Sequence, residues 1–235
     1  MTETHAQQWA THRAALEAYT AEPYELIVVD NGSTYPPAQT TTAWLANRGI
    51  APAWNEGRRH ARGDVLCFLT ATTEVTPGWS EPLVVVARRG RYITMPYTNG
   101  IKAYGGLGVT GWCWVLTREL ADEIGPFDET FVPIQYEDTD FYHRAIYEHG
   151  VELVNVPASN VRRHPGPKSY QSWPQERINW IHWANRFRYG FKHGVDPQDI
   201  PPFWKQPLRD VEVPVRSGIR FRGDYINCTF TEPCR

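Results

Sequence analysis

No apolar run in this chain approaches the ~20 residues needed to cross a bilayer, and the polar opening MTETHAQQWATHR lacks the apolar core of a secretion signal. The expected location is cytoplasmic. Cysteine is scarce, with four residues at 67, 113, 228 and 234 and none at zinc-type spacing. Cys67 and Cys113 lie inside apolar, strand-like runs, which predicts buried thiols. A bridge between Cys228 and Cys234 is conceivable, but a reducing compartment favours free thiols. Neither sign of charge dominates. A net charge of −2 and a pI near 6.4 exclude a global basic field for nucleic acid and leave only local clusters such as Arg162, Arg163 and Lys168. Internal repeats are also lacking. What is present is 235 residues with 41% hydrophobic and 21% charged side chains, enough for one α/β domain with a tail or small appendage. Aromatics reach 13%, with ten Trp. That surplus suits flat ligands such as sugars, or else a core and an oligomer interface.

Residues 4 to 19 place Trp9, Leu16 and Tyr19 on one helical stripe that ends before Pro23. Glu25 to Asp30 is a short apolar run closed by Asn31-Gly32-Ser33, the pattern of a buried parallel strand ending in a turn. Pro36 and Pro37 suit the start of a helix containing Ala43 to Leu45, with Gly49 at its end. A short helix over Asn55 to Ala61 and a strand over Val65 to Leu69 follow. Further strands are predicted at Arg91 to Tyr97 and Gly111 to Thr117, and helices at Arg118 to Ile124 and Glu137 to His149. From Gln175 to Phe191, Trp180, Trp183, Ala184, Phe187 and Phe191 share one helical face, which predicts packing. Residues 195 to 235 read as an extended, Pro-rich tail with a strand-like piece at Val211 to Val215. Alternating strands and helices predict a doubly wound α/β sheet, whose ligands bind beyond the carboxyl ends of the strands and so near Asp30 and Thr70 to Thr72.

Three blocks in order, YELIVVDNGST (Tyr24 to Thr34), NEGRRHARGDVLCFL (Asn55 to Leu69) and TEVTPGW (Thr73 to Trp79), resemble the family 2 glycosyltransferases. So do GVTGWCWVLTRE, IGPFDETF (Ile124 to Phe131), YEDTDFYHRAIYEHG (Tyr136 to Gly150) and the later His164. The resemblance spans about residues 15 to 170. It implies a GT-A-like (Rossmann-like), mostly parallel sheet flanked by helices, with a glycosyltransferase domain over 1–194 and the tail over 195–235. It also implies a hexosyltransferase-like enzyme with a nucleoside diphosphate sugar as donor and a hydroxyl acceptor on a saccharide, a protein or modified DNA. Asp30 would hold the nucleotide, with Asn31 and Asn55 beside it; the alternative for Asp30 and Asn31 is a turn cap. Glu137-Asp138 matches the family's acidic motif. There Asp138 would be the general base on the acceptor hydroxyl in an inverting transfer, supported by Glu137; the alternative is a helix-opening acid.

Two departures stand out. After Leu69 the family carries an Asp-x-Asp-type motif for the divalent cation (Mn²⁺ or Mg²⁺) on the donor diphosphate, and here the residues are Thr70-Ala71-Thr72. Three explanations stay open: weak metal binding through donor phosphates and His164, replacement of the metal by Arg162, Arg163, His164 or Lys168, or loss of catalysis in a binding or scaffold protein. Thr72, Arg163 and Lys168 are accordingly candidate donor-binding residues. The family's opening strand is also missing from the N-terminus. Asp210 to Arg216 resembles it, which suggests a circular permutation in which the tail completes the sheet.

Overall fold

The computed structural model describes residues 3–34, 36–37, 39–97, 111–163, 173–199 and 208–213. Helix α1 (Glu3–Tyr19) leads into strand β1 (Val29–Asn31) and strand β2 (Thr42–Trp44), then helix α2 (Ile50–His60), strands β3 (Val65–Leu69) and β4 (Thr73–Val75), and helix α3 (Ser80–Ala87). Strands β5 (Tyr92–Tyr97) and β6 (Cys113–Thr117) precede helix α4 (Arg118–Ile124) and helix α5 (Glu137–His143), which continues as a π-helical turn over Arg144–Glu148. The long strand β7 (Glu152–Arg163), helix α6 (Gln175–His193) and the short strand β8 (Arg209–Asp210) complete the order.

The main sheet runs β3-β6-β5-β7-β4, with β8 also on β7, and β1 and β2 form a separate parallel pair. The sheet is mixed rather than mostly parallel. β6 is antiparallel to both β3 and β5, β4 is antiparallel to β7, and β5 and β8 run parallel to β7. β4 leaves the three-residue turn after β3 and lies antiparallel along the far end of β7, so the sheet gains an antiparallel strand without a helical crossover.

Both faces of the sheet are covered. On one, Leu66, Phe68, Ile93, Met95, Trp114 and Leu116 pack under α2, α4 and α5 through Ala51, Leu120, Ala121, Phe141 and Tyr142. On the other, Cys113, Val115, Val154, Val156 and Val161 meet Leu16 of α1 and Leu83, Val86 and Ala87 of α3. Strand β6 alternates between the two cores, so its five residues read as one apolar run. Part of the aromatic surplus is spent here: Phe68 stacks on Trp114 at 4.2 Å and Phe127 on Phe141 at 4.6 Å.

Several expectations are corrected. The helix expected between Pro36 and Gly49 is replaced by β2, because the amides of Thr41 and Thr42 both reach the Val28 carbonyl and fold the segment back alongside β1. β1 is shorter than expected, since Glu25 leaves the strand to accept from the amides of Arg62 and Gly63. Gly49 begins α2 instead of ending a helix, and α2 starts five residues before Asn55. Cys67 is exposed on the edge strand β3, whereas Cys113 is buried as expected.

The aromatic face of α6 does not pack among the described residues. Trp180 is 72% and Phe191 94% exposed, and Trp183 and Phe187 are also open. The helix turns Ile181, Asn185 and Tyr189 inward instead. Asn185 donates to the carbonyls of Ile134 and Gln135 at 2.8 and 3.0 Å, and Asp140 pairs with Lys192 and His193 at 2.6 and 2.8 Å, so α6 is fastened by its polar groups. Of the tail segment compared with the missing first strand, the described part lies on β7, with Val211 N bonded to Asn155 O at 2.8 Å, and not on β1.

Candidate active site

The carboxyl end of β3 runs into Thr70-Ala71-Thr72, and this turn is closed by its own hydroxyls. Thr70 Oγ1 shares hydrogen bonds with Thr72 Oγ1 at 3.0 Å and Thr73 Oγ1 at 3.2 Å. The turn is tied to the segment before β6: Thr70 N and Thr73 Oγ1 both donate to the Trp112 carbonyl at 3.0 Å. The neighbouring residue, Gly111, lies against Asp138. A methyl group built on Gly111 would overlap Asp138 Oδ2 and sit 3.2 Å from its Cγ. Two residues thus join the hydroxyl turn to the first turn of α5, and a side chain at Gly111 would displace the Asp138 carboxylate.

Asp138 is half-buried, its Oδ1 accepting from Thr139 N at 2.7 Å and Thr139 Oγ1 at 3.3 Å, which leaves Oδ2 on the Gly111 side. Burial raises its carboxyl above the ordinary range. Glu137 is buried more deeply, at 4% exposure, and its Oε2 has no hydrogen-bond partner among the described residues. Burial first, and then the Asp138 charge, push Glu137 well above the usual carboxyl range, so it resists ionisation. The third acid of the motif behaves differently. Asp140 is held below its ordinary value despite its burial by His193, Lys192 and Arg144, and serves as the anchor between α5 and α6.

Asp30 is buried at the end of β1, with Ser33 N donating to its Oδ2 at 3.2 Å. Gly32 has φ 82°, and a side chain there would strike the backbone of Ala46 and Asn47, so the turn after Asp30 requires glycine. The amide of Asn31 is committed to the next loop, donating to Gly49 O and accepting from Arg48 N, both at 2.8 Å. Asn55 is likewise engaged. It exchanges both hydrogen bonds with the main chain of Phe127, each at 2.9 Å, and also donates to Glu129, so it clamps the loop after α4. Thr72 lies in the hydroxyl turn. Arg162 and Arg163 stand opposite Glu74 and Thr73 where β7 pairs with β4. The side chain of Arg163, and the whole of His164 and Lys168, lie outside the described residues.

The structure therefore joins Thr70 to Thr73, Gly111, Trp112, Glu137 and Asp138, while Asp30 and Asn31 belong to a second group around Gly49. Gly111 and Trp112 are the residues that sequence reasoning did not single out, although a glycine just before a buried strand is the available signal.

The Thr70 to Thr72 turn does not fit a divalent cation. Mg²⁺ and Mn²⁺ favour carboxylate oxygens, and these neutral hydroxyls already satisfy one another. Among the described residues no group of three or more His, Cys, Asp or Glu could hold a metal ion.

Residues 9–104 match the model of glycosyl transferase family 2. No curated protein is a significant match in sequence. Among solved structures, GalNAc-T7 with UDP, GalNAc and Mn²⁺ is similar at a TM-score of 0.62 and 15% identity, over 84% of this chain and 51% of that one. The mannosyltransferase PcManGT from Pyrobaculum calidifontis, in complex with GDP-Man and Mn²⁺, is similar at a TM-score of 0.61 and 18% identity, over 85% of this chain and 64% of that one. The chain thus spans between half and two thirds of the length of these structures. The family pattern thus lies in residues 9–104, under half of the chain, and the agreement in architecture shows the GT-A fold.

Proposed function

We propose that the chain transfers a sugar from a nucleoside diphosphate sugar to an acceptor hydroxyl, with inversion, and that Asp138 is the general base. The observation that carries the reading is the junction at Gly111, which sets the Asp138 carboxylate two residues from the turn at the end of β3, the end of a strand at which such folds bind their ligands. The acceptor oxygen attacks the anomeric carbon and its proton passes to Asp138. The bond from that carbon to the diphosphate oxygen breaks, and its electron pair leaves with the diphosphate. Thr139 fixes one carboxylate oxygen and so orients the other. Glu137, whose burial disfavours its charged form, is the candidate for an O–H donor beside the base. Asp30 is the candidate for holding the nucleotide. The two solved structures carry UDP and GDP-Man, so both bases are candidates for the donor.

Replacing Asp138 by Asn tests this: nucleoside diphosphate release should fall by about 100-fold or more with donor binding nearly unchanged. Wild-type turnover in D138N would remove Asp138 from the mechanism. Thr70-Ala71-Thr72 favours a second reading, a binding protein that has lost transfer; nucleotide binding without turnover in the wild type, across saccharide, protein and modified-DNA acceptors, would select it.

A further inference from the structure

Helix α6 carries its largest apolar groups on the side turned away from the fold. Trp180, Trp183, Phe187 and Phe191 follow one another at helical spacings of three and four residues, which lines them up in one stripe ~16 Å long. They are 72, 47, 58 and 94% exposed, while Ile181, Asn185 and Tyr189 on the opposite face are buried. Together the rings present about 400–700 Å² of surface, as much as the largest apolar patch that a typical monomer leaves open. The flanks of the stripe are cationic. Arg177 and Arg188 are exposed along one flank, Arg177 over the Trp173 ring at 4.3 Å and Arg188 bonded to the neutral Asn185 amide. On the other flank Arg186, held by the Gln198 and Asp199 carbonyls, lies over Trp183 at 5.0 Å. Glu176 in the first turn is the only acid of the helix, and the next acids, Asp196 and Asp199, follow its C-terminal Gly194.

Charge and area select what covers such a stripe. A second copy would bring its arginines against these arginines, and the stripe falls short of the roughly 800 Å² that each partner gives to a stable protein interface. A lipid surface sets no such minimum. It takes aromatic rings into the boundary between headgroups and acyl chains, and anionic headgroups complement arginines on the flanks. Trp and Arg suit that boundary because each buries an apolar body and keeps a polar end in water. No helix among the described residues is long and apolar enough to cross a membrane, so the fitting placement of α6 is along the surface.

We propose that α6 docks this chain on an anionic phospholipid bilayer, with Trp180, Trp183, Phe187 and Phe191 entering the interface and Arg177 and Arg188 meeting the headgroups. The proposal goes beyond the transfer reaction and does not depend on it. Asp140, two residues from Asp138, fastens α5 to α6, so docking by the outer face of α6 holds the candidate base one helix away from the lipid. Binding then rises with anionic lipid content and falls with salt.

The test is cosedimentation of the whole chain with vesicles of phosphatidylcholine alone and of phosphatidylcholine with about 30% phosphatidylglycerol. The expected result is binding to the anionic vesicles about tenfold or more tighter than to the neutral ones, and weaker in high salt. Trp180→Ala/Trp183→Ala/Phe187→Ala/Phe191→Ala should lose that binding and keep the melting midpoint, because these rings are open to solvent. Arg177→Gln/Arg188→Gln should weaken binding to the anionic vesicles by about tenfold or more and leave the neutral ones unaffected. A wild-type chain that stays in the supernatant with both vesicles overturns the proposal, as does equal binding to both, or a folded alanine variant that binds like the wild type. Concentration-dependent dimerisation that the alanine variant abolishes also overturns it, since a second copy then covers the stripe. If the alanine variant does not fold, quenching of tryptophan emission by bromine-labelled lipid decides: quenching that Trp180→Phe/Trp183→Phe removes supports the docking, and its absence in the wild type overturns it.

Discussion

Gly111→Ala separates the function of the Asp138 junction from its structural role. The backbone at Gly111 is not in the left-handed region, so alanine is tolerated by the main chain, and the whole conflict falls on Asp138 Oδ2, the free end of a side chain. That carboxylate must retreat by about 1 Å to restore a normal carbon–oxygen contact, and a displacement of that size at a reacting group costs about 100-fold in rate. Stability should hardly move. The side-chain end can swing away at a cost of order 1 kcal/mol, and replacing glycine at a compatible position returns about 0.4–1 kcal/mol by restricting the unfolded chain. The assay is release of nucleoside diphosphate from whichever sugar nucleotide binds, with kcat and KM measured separately and the melting midpoint recorded alongside. The expected result is a kcat about 100-fold lower, an unchanged donor KM and a stability within about 1 kcal/mol of wild type. Combining the change with Asp138→Asn should add almost nothing, because both act on one group. Activity within a few-fold of wild type, or a loss of more than about 3 kcal/mol in stability, would refute the reasoning.

Two further outcomes follow from the acids of α5. Glu137 has a raised carboxyl pKa, so its contribution is most favourable below the ordinary value near 4.5 and is lost as pH rises through the folded-state value. Glu137→Gln should therefore leave the melting midpoint unchanged at pH 4 and raise it at pH 8, by about 1–3 kcal/mol in stability, and a lower midpoint at pH 8 would contradict the buried, unpartnered carboxyl. Asp140 is the opposite case. Its depressed pKa contributes stability above the ordinary value near 3.8 that is lost as pH falls through the folded-state value. Asp140→Ala leaves Arg144, Lys192 and His193 without their shared carboxylate and should cost about 3 kcal/mol near pH 7 in urea unfolding, with the deficit shrinking toward pH 3. A pH-independent deficit would show that the ion pairs are not its source.

Much of the fold was legible from local patterns because burial on both sides of a strand forces a continuous apolar run. CWVLT is such a run and forms β6; VLCFL forms β3 although Cys67 is exposed on its outer face, and the helices at Arg118 and Gln175 begin where their sequence signals place them. The segment from Pro36 to Gly49 was misread because its pairing with β1 depends on the Val28 carbonyl, a partner that no local pattern reveals. The α6 aromatics were misread for a related reason: the periodicity identifies a face, but which face turns inward is set by Asn185 and by the Asp140 network on the neighbouring helix.

The site divides in the same way. The sequence by itself determined the chemistry available: an acidic pair at Glu137 and Asp138, hydroxyls where a metal motif is expected, and arginines at 162 and 163. Only the tertiary structure decided which of these meet. It spends Asn31 and Asn55 on loops, gives Asp140 to α6, and brings Asp138 to the hydroxyl turn through Gly111 and Trp112. The physical reason is that a residue type fixes what bonds a group can make, whereas the bonds it does make depend on partners brought near by packing from distant parts of the chain.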